Sequence, residues 1–434
     1  MAKYVSIKEA LDVVQSNDYI VTGLGSAEGR EFMTNLHTIA DKVKNVMVSN
    51  CLPMGNYEFM VNPLYKDVFR TEGWFYTPTL RKAHANGNVS FIPNHLHLAA
   101  TKRLFYREPD IYVGIASMPD KHGYVSLSLS NTYEMKMIKK AKTVILEINP
   151  NAPRTFGDVQ LHVDEVDYLV QVDYPMPEIA DAIPNEKDLA IGKIIADMIN
   201  DGDCIQLGIG GIPNAVASSL YGKKNLGVHT EMLTTGMVQL AKAGVINGKC
   251  KQQNYGKMVA AFAMGTKELY DFIDDNPSVE ILDGGYVNDP YTIGKNDNQV
   301  SINTTIEVDI TGQCCSESIG SRQFSGTGGQ SDTAVGAQKS KNGRSIIALY
   351  STAMVKNPTT GEREETSKIV CQLNKGAAVS LSRNDVDYLV TEYGAVALRG
   401  TSIEERAKKI ISIAHPMFRE QLTKEAIELG IFVD

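Results

Sequence analysis

Short apolar runs alternate with amphipathic helical patterns along this chain of 434 residues, and this alternation restricts its fold more than any other feature. Four such runs lie at residues 19–21, 45–48, 111–113 and 143–146. Ser6 and Glu9 have the spacing of a capping box, and Leu11 and Val14 follow them on one helical face. Strands that alternate with helices indicate βαβ units, so we expect an α/β protein with open, mostly parallel sheets.

A weak internal repeat predicts two related α/β domains in tandem. Asp18 aligns with Asp203 and Gly23 with Gly208 at an offset of 185 residues, each pair within a helix, turn, strand and glycine loop. The hexapeptides EVDYLV (165–170) and DVDYLV (385–390) repeat at an offset of 220, so the second half carries an insertion or longer loops. Prolines between 175 and 184 interrupt helix and sheet. We therefore divide the chain into domains 1–183 and 184–434.

Composition excludes several classes of protein. A net charge of −8 argues against a nucleic-acid-binding protein, although it does not exclude a local anion site. The six cysteines include no C-x-x-C pair, so we expect neither a zinc site nor a thioredoxin-type motif, and unpaired thiols suit a reducing compartment. The N-terminus does not resemble a signal peptide, and no segment has the apolar length of a membrane span. We expect a soluble cytoplasmic protein.

The first candidate for chemistry is the glycine loop of residues 206–210, which follows an expected strand at 204–207 and precedes a helix near Pro213. Backbone amides in such a loop can bind an anion or a developing oxyanion. No Gly-Lys-Ser/Thr follows, and the G-x-G-x-x-G spacing is absent, so neither a Walker A loop nor a dinucleotide fingerprint is present. A strand-to-helix turn without a ligand remains the alternative.

The second candidate is Glu231, which lies between an expected strand at 226–228 and an expected helix at 236–243. The carboxyl ends of strands form the ligand-binding edge of open α/β sheets, and a carboxylate there can act as a covalent nucleophile. A surface or capping glutamate is the alternative. We expect His229 nearby to be a packed histidine instead of a catalytic base.

The third candidate is the loop Ser325-Gly326-Thr327-Gly328-Gly329-Gln330, whose three glycines allow its amides to turn inward. A flexible surface turn is the alternative. The first half has no clear counterpart of this loop, so we expect the two halves to differ chemically. Residue types and spacing alone thus predict an α/β enzyme with two glycine loops and a carboxylate between them.

Motifs along nearly the whole chain resemble the acetyl-CoA hydrolase/transferase family, especially its 4-hydroxybutyrate and butyrate CoA-transferase branch. They are Glu72-Gly73-Trp74-Phe75, Leu207-Gly208-Ile209-Gly210, His229-Thr230-Glu231-Met232, Met264-Gly265-Thr266-Lys267, Ser325 to Gln330, Ser382-Arg383-Asn384-Asp385, Thr391-Glu392-Tyr393-Gly394 and Ile413-Ala414-His415-Pro416. The resemblance implies that Glu231 is the nucleophile. It also implies contacts to coenzyme A or to the oxyanion from Gln206, Leu207, Gly208, Ile209, Gly210, Ile306, Gly326, Gly328 and Gly329, with Ile306 in an expected strand at 305–308.

The activity implied by this resemblance is transfer of coenzyme A from acetyl-CoA or another short acyl-CoA to a short carboxylic acid, such as 4-hydroxybutyrate or butyrate. Turnover would be ping-pong through a glutamyl-CoA thioester, with coenzyme A as a substrate, no tightly bound cofactor and no metal. Relatives of this kind are homo-oligomers, so a dimer or tetramer is expected. The alternatives are an acyl-CoA hydrolase on the same scaffold and a non-catalytic sensor of coenzyme A or a sugar phosphate.

Overall fold

Two large β-sheets form the framework of the protein, and the computed structural model describes residues 2–357 and 360–432. The strands of the first half are β1 (Lys3–Val5), β2 (Tyr19–Thr22), β3 (Val46–Asn50), β4 (Phe69–Gly73), β5 (Val89–Phe91), β6 (Ile111–Ala116), β7 (Tyr124–Ser126), β8 (Thr143–Ile148), β9 (Phe156–Gly157), β10 (Gln160–His162) and β11 (Tyr168–Gln171). Its helices are α1 (Ile7–Leu11), α2 (Arg30–Asn35), α3 (Glu58–Val61), α4 (Pro78–Ala85), α5 (Ala99–Tyr106) and α6 (Glu134–Ile138).

The second half is longer and carries additional short strands. Its strands are β12 (Cys204–Leu207), β13 (Gly227–Leu233), β14 (Met258–Ala263), β15 (Val279–Ile281), β16 (Gln299–Thr304), β17 (Glu307–Asp309), β18 (Cys314–Cys315), β19 (Ser318–Ile319), β20 (Arg322–Gln323), β21 (Arg344–Ala348), β22 (Thr352–Lys356), β23 (Arg363–Ser367), β24 (Ile369–Val370), β25 (Tyr388–Thr391) and β26 (Gly394–Ala397). Its helices are α7 (Glu186–Asp197), α8 (Gly211–Ser218), α9 (Thr235–Lys242), α10 (Lys267–Ile273), α11 (Gly284–Val287), α12 (Pro290–Ile293), α13 (Gln330–Lys339), α14 (Ile403–Ser412) and α15 (Pro416–Glu428).

The two sheets share one arrangement of seven strands around their central strands, β2 and β12. The first sheet has the strand order β1-β11-β8-β6-β2-β3-β4-β5, and all its neighbouring strands are parallel. The second has the order β26-β25-β21-β16-β12-β13-β14-β15-β9, with only β25 and β26 antiparallel. Within these seven strands the chain moves outward from β2 or β12 through three strands and then returns to build three strands on the other side. The sheets differ at their outer strands: β1 is parallel to its neighbour, β26 is antiparallel to its neighbour, and β9 is added to the second sheet. The α/β class and the tandem repeat predicted from the sequence are therefore confirmed.

Register makes the repeat precise at the residue level. Tyr19 pairs with Met47 across β2 and β3, and Cys204 pairs with Gly227 across β12 and β13. Tyr19 and Cys204 differ by the offset of 185 that the sequence shows. Four residues beyond Met47 and Gly227 come Cys51 and Glu231, so these two residues hold equivalent positions in the two halves. The additional length of the second half lies in β17–β20, between β16 and β21, and in β22–β24, between β21 and β25.

Capping residues set the starts of several helices. Ser6 caps α1 through a reciprocal capping box with Glu9, as the sequence predicts, and Ser402 caps α14 through the same contacts with Glu405. Asn185 caps α7 in the same way with Asp188, so this helix begins at Glu186. A cap of this kind contributes about 1 kcal/mol, since it satisfies amides that the first helical turn leaves unpaired.

The two halves interlock through a segment of the first half that runs beside β14. The Asn131 N–H donates to the Ala261 carbonyl at 2.9 Å, and the Ala263 N–H donates to the Leu129 carbonyl at 2.8 Å. Strand β9 of the first half also pairs with β15 at the edge of the second sheet. One apolar core includes buried residues of both halves. The division at 183/184 stays a prediction, and segment 127–157 crosses it in space.

Two predicted strands differ from the observed ones. The predicted strand 226–228 is β13, which extends to Leu233, so Glu231 lies inside a strand and not after one. The predicted strand 305–308 covers the end of a connection and the start of β17, so Ile306 lies between β16 and β17. Among the described residues, no helix has the length and apolar character needed to cross a membrane.

Candidate active site

A cavity of about 330 Å³ lies where the carboxyl ends of β12, β13 and β16 meet residues of the first half. Nine of the predicted site residues line it: Gln206, Leu207, Gly208, Ile209, Glu231, Ile306, Gly326, Gly328 and Gly329. Gly210 does not line it and instead forms the N-cap of α8 with φ of +115°. Open α/β sheets bind ligands at this edge, beside the central strand where the chain direction changes. The structure thus brings the three predicted segments together.

Glu231 reaches the cavity because β12 and β13 separate before it. Their pairing ends at Ile205 and Val228, after which β12 leads into the glycine loop while β13 continues along β14. The Glu231 side chain is half-buried, whereas its neighbours in β13 are buried. The Glu231 carboxylate can therefore contact a ligand although its residue belongs to a strand and not to a surface loop. Pairing with β14 holds the backbone of this part of β13 in place.

Asn288 holds the Glu231 carboxylate. The Asn288 side chain is fully buried at the end of α11, and its Nδ2 donates to Glu231 Oε2 at 2.9 Å. Burial raises the pKa of Glu231 to about 7, and the negative charge of Asp332 adds to this rise. The bond from Asn288 and the nearby amide of Gly329 act in the opposite direction. The carboxylate therefore titrates near neutral pH.

The second glycine loop packs directly against the carboxylate. A Cβ atom at Gly329 would lie 1.9 Å from Glu231 Oε2 and 2.1 Å from Asn288 Nδ2, so no side chain fits there. Gly328 has φ of +54°, and a Cβ at that position would lie 3.3 Å from Glu231 Oε1. Gly329 also forms the N-cap of α13, so the amides of this helix start point toward the carboxylate end of the cavity. The loop packs against Glu231 and lines the cavity, so it is not a flexible surface turn.

The first glycine loop is fixed by Gln206. Gln206 Oε1 accepts bonds from Ser301 Oγ, the Ile302 N–H and Asn303 Nδ2 at 3.1, 3.2 and 3.3 Å, which ties β12 to β16. Ile209, at the tip of the loop, is 45% exposed and lines the cavity. Among the described residues, none accepts a hydrogen bond from the Ile209 N–H. This amide is therefore available to an anionic oxygen.

Ile306 and His229 have roles that differ from each other. The Ile306 N–H donates to the Cys315 carbonyl at 3.0 Å, which fixes the connection between β16 and β17 while the side chain lines the cavity. His229 Nε2 bonds to the Val287 carbonyl at 2.8 Å, and burial lowers the pKa of this ring to about 4. His229 is therefore a packed neutral histidine, as expected from the sequence.

Several cavity residues were missed by sequence reasoning. Asn288 lies 57 residues beyond Glu231 and carries no motif, so only the fold reveals it. The first half contributes an apolar wall of Leu24, Cys51, Leu52, Trp74, Phe75 and Tyr133. Trp74 and Phe75 belong to a motif that we noted without assigning it a role. The internal repeat could have indicated part of this wall, since it aligns Leu24 with Ile209.

The equivalent sheet edge of the first half has neither the free amide nor the glutamate of the second half. Leu24 holds the position that Ile209 holds in the second half, but its N–H donates to Glu134 Oε1 at 2.9 Å. Glu134 is buried, so a carboxylate of the protein itself accepts the hydrogen bond from Leu24, whereas the equivalent amide of Ile209 has no acceptor among the described residues. Cys51 stands where the second half has Glu231. The halves are therefore not chemically equivalent, as expected. Among the described residues, no cluster of His, Cys, Asp or Glu is arranged to hold a metal ion.

Comparisons with known proteins find relatives that extend over nearly the whole chain. Residues 1–184 match the N-terminal domain and residues 265–426 the C-terminal domain of acetyl-CoA hydrolase/transferase. A succinyl-CoA:cyclohexane-1-carboxylate CoA transferase of Geobacter metallireducens is 41% identical over 98% of this chain and 95% of its own length. A 4-hydroxybutyrate coenzyme A transferase of Clostridium kluyveri is 40% identical over 98% of this chain and 97% of its own.

A solved structure shows the same fold. The crystal structure of RipA from Yersinia pestis aligns with a TM-score of 0.91 at 34% identity, and the alignment covers 99% of this chain and 98% of that one. Both halves, in the same order and over nearly the full length of the chain, are thus similar to these proteins. The chain belongs to the acetyl-CoA hydrolase/transferase family.

Proposed function

We propose that this protein is a CoA-transferase that moves coenzyme A from a short acyl-CoA to a short carboxylic acid through a glutamyl-CoA thioester at Glu231. The observation that carries this proposal is the carboxylate of Glu231, which faces a largely apolar cavity while Asn288 holds one of its two oxygens. Because Asn288 engages Oε2, Oε1 is the oxygen available for attack.

In the first step, Oε1 attacks the carbonyl carbon of the bound acyl-CoA thioester. The resulting oxyanion would be stabilised by the Ile209 amide, which has no partner among the described residues. The carbon–sulfur bond breaks, coenzyme A leaves as a thiolate, and a mixed anhydride joins the acyl group to Glu231. The thiolate stays bound through the rest of coenzyme A, so its effective concentration is high.

In the second step, the thiolate attacks Cδ of Glu231, and the negative charge develops on Oε2. Asn288 Nδ2 already lies 2.9 Å from this oxygen, and the Gly329 amide lies close to the carboxylate, so both donors are in place before the charge appears. The Cδ–Oε1 bond breaks, and the first acid leaves with Oε1. The incoming acid reverses both steps, so one thioester replaces another without a change in bond type.

The acyl group would occupy the apolar wall supplied by the first half. Among the described residues that line the cavity, none is lysine, arginine or histidine, so a second carboxylate on the acid would have no counter-charge. The Tyr133 hydroxyl donates to the Thr22 carbonyl at 2.9 Å and offers only an acceptor to a ligand. These features favour short monocarboxylic acids with an uncharged chain, such as butyrate and the more polar 4-hydroxybutyrate, over dicarboxylic acids.

An acceptor screen tests the proposal. Butyryl-CoA or acetyl-CoA serves as donor, and acetate, butyrate, 4-hydroxybutyrate and succinate serve as acceptors. We expect new acyl-CoA to form only when a monocarboxylate is present, and we expect Glu231→Ala to abolish the reaction. Glu231→Asp should lose about 10²-fold, since the shorter side chain displaces the attacking oxygen by ~1 Å. Release of free coenzyme A without acceptor indicates a hydrolase, and binding without turnover indicates a sensor.

The resemblance further leads us to infer a homo-oligomer, a dimer or tetramer, in the cytoplasm. Five of the six cysteines are buried, and all six are free thiols, which agrees with a reducing compartment. Light scattering of the purified protein measures the mass of the particle, and a monomer would refute the inferred assembly.

A further inference from the structure

Two arginines beside the catalytic cavity have no anionic partner. Arg81 of α4 places its guanidinium carbon 3.8 Å from the centroid of the Phe324 ring, and Phe324 lines the cavity. Arg322 precedes Phe324 by two residues and is exposed. One arginine comes from the first half and the other from the second, and their charges are close enough to act on each other beside the cavity.

These two charges are uncompensated among the described residues. Neither Arg81 nor Arg322 forms an ion pair or a side-chain hydrogen bond there, and Arg81 Nε is buried without an acceptor. Burial and the neighbouring charge of Arg322 both lower the pKa of Arg81. Buried donors without acceptors and adjacent like charges both cost free energy. An anion placed between the two guanidinium groups would remove both costs.

Stacking prepares Arg81 for such a ligand. Contact with an aromatic face fixes the guanidinium plane, and its edge then presents N–H donors in the fork that fits two oxygens of a phosphate. Among the described residues that line the cavity, none is lysine, arginine or histidine, and Phe324 connects the arginine pair with the cavity because it lines the cavity and contacts Arg81.

We propose that Arg81 and Arg322 form the phosphate subsite for the nucleotide end of coenzyme A, with Phe324 as the platform between this subsite and the cavity. This proposal rests on the proposed CoA-transferase function. The thioester sulfur would lie at Glu231, and the uncharged pantetheine arm would pass the glycine loops. Coenzyme A carries a diphosphate and a 3′-phosphate, and either group has the charge and the oxygens that the two arginines need.

Substrate fragments separate these possibilities. Steady-state transfer is measured for the parent protein and for Arg81→Gln, Arg322→Gln and the double variant. The donors are butyryl-CoA, butyryl-dephospho-CoA, which lacks the 3′-phosphate, and S-butyryl-pantetheine, which lacks all phosphates. Arg70→Gln, at an exposed position of β4, is the matched control. With butyryl-CoA we expect KM to rise about 10-fold for each arginine removed, with kcat nearly unchanged.

The expected pattern is that the variants and the parent become equal with S-butyryl-pantetheine. If the increase in KM already disappears with butyryl-dephospho-CoA, the arginines bind the 3′-phosphate; if it persists there, they bind the diphosphate. An equal rise with S-butyryl-pantetheine, or no rise with butyryl-CoA, overturns the subsite.

A competitor tests the subsite without relying on the variants' folding. Adenosine 3′,5′-bisphosphate should inhibit the parent protein in competition with butyryl-CoA and should inhibit the double variant at least 10-fold more weakly. Absence of competitive inhibition in the parent contradicts the subsite. A parent protein that shows no transfer at all would instead refute the proposed function, so the two failures are distinguishable.

Discussion

Asn288 Nδ2 lies 2.9 Å from Glu231 Oε2 and thereby distinguishes the two oxygens of the carboxylate. Asn288 is fully buried, and its Oδ1 has no hydrogen-bond partner among the described residues. A buried acceptor without a partner lowers the stability of the folded protein by about 1–3 kcal/mol. Such a fixed donor is of use where negative charge develops on Oε2 during the proposed second step.

Asn288→Ala should therefore lower kcat by about 10² to 10³, the loss typical of a removed oxyanion donor, with little change in KM for acyl-CoA. Because the bond from Asn288 lowers the pKa of Glu231, its removal should also shift the acid limb of the rate profile to higher pH. Steady-state kinetics across pH measure both effects. A lower kcat with an unmoved acid limb would show that Asn288 does not act through the carboxylate.

The pH dependence of the parent protein follows from the raised pKa of Glu231, about 7. Only the ionised carboxylate attacks, so kcat/KM should rise as the pH increases through 7 and then reach a plateau. Profiles of kcat/KM report ionisations of the free enzyme, which is the state that the structure describes. A profile that stays flat from pH 5 to 9 would contradict a nucleophile with this pKa.

Stability should respond to the same group. Glu231 binds its proton more tightly when folded than when unfolded, so its contribution favours the folded state below pH 4.5 and is lost as the pH rises through 7. Glu231→Gln should thus be more stable than the parent at pH 8, by at most ~3 kcal/mol, and nearly equal to it at pH 4.5. Thermal unfolding at the two pH values measures this, and a reversed order would refute it.

The contact between Gly329 and the carboxylate predicts a severe effect of a single methyl group. Gly329→Ala places a Cβ 1.9 Å from Glu231 Oε2, so the carboxylate or the loop must move, and activity should fall by at least 10²-fold. Gly222→Ala is the matched control because a Cβ there meets nothing within 4 Å and its φ is not positive. Equal activities of the two variants would exclude a close packing of loop and nucleophile.

Cys51 offers a test of the acyl wall. It lines the cavity at the position equivalent to Glu231, on the side that we assign to the acyl chain. Cys51→Met fills part of this space, so kcat/KM for butyryl-CoA should fall more than that for acetyl-CoA, by about 10-fold in the ratio. Cys51→Ala, which removes volume, should leave acetyl-CoA transfer intact and favour longer chains. An unchanged ratio in both variants would place the acyl chain elsewhere.

Sequence reasoning predicted the parts of the fold that depend on local pattern. The central strands, the capping box at Ser6 and the repeat all have short-range signals, and the repeat predicted two related α/β domains. The end of β13 was missed because Glu231 is polar and interrupts the apolar run, although strand pairing with β14 continues past it.

The candidate site was predicted where it consists of contiguous glycines and missed where it depends on contacts between distant segments. Asn288 and Arg81 have ordinary sequence surroundings, and only the packing of α11 and α4 beside the cavity brings them to the site. Gly210 forms the N-cap of α8 with a positive φ and does not line the cavity, so its contact with coenzyme A stays a prediction.

The most direct test is the chemical state of Glu231 during turnover. The protein is incubated with butyryl-CoA without an acceptor, reduced with borohydride and digested, and the peptide that contains residue 231 is analysed by mass spectrometry. We predict that Glu231 is converted to the corresponding alcohol, since borohydride reduces a thioester but not a free carboxylate. An unmodified Glu231 in protein that transfers coenzyme A in a parallel assay with acceptor, or a label on a different carboxylate, would contradict the central claim.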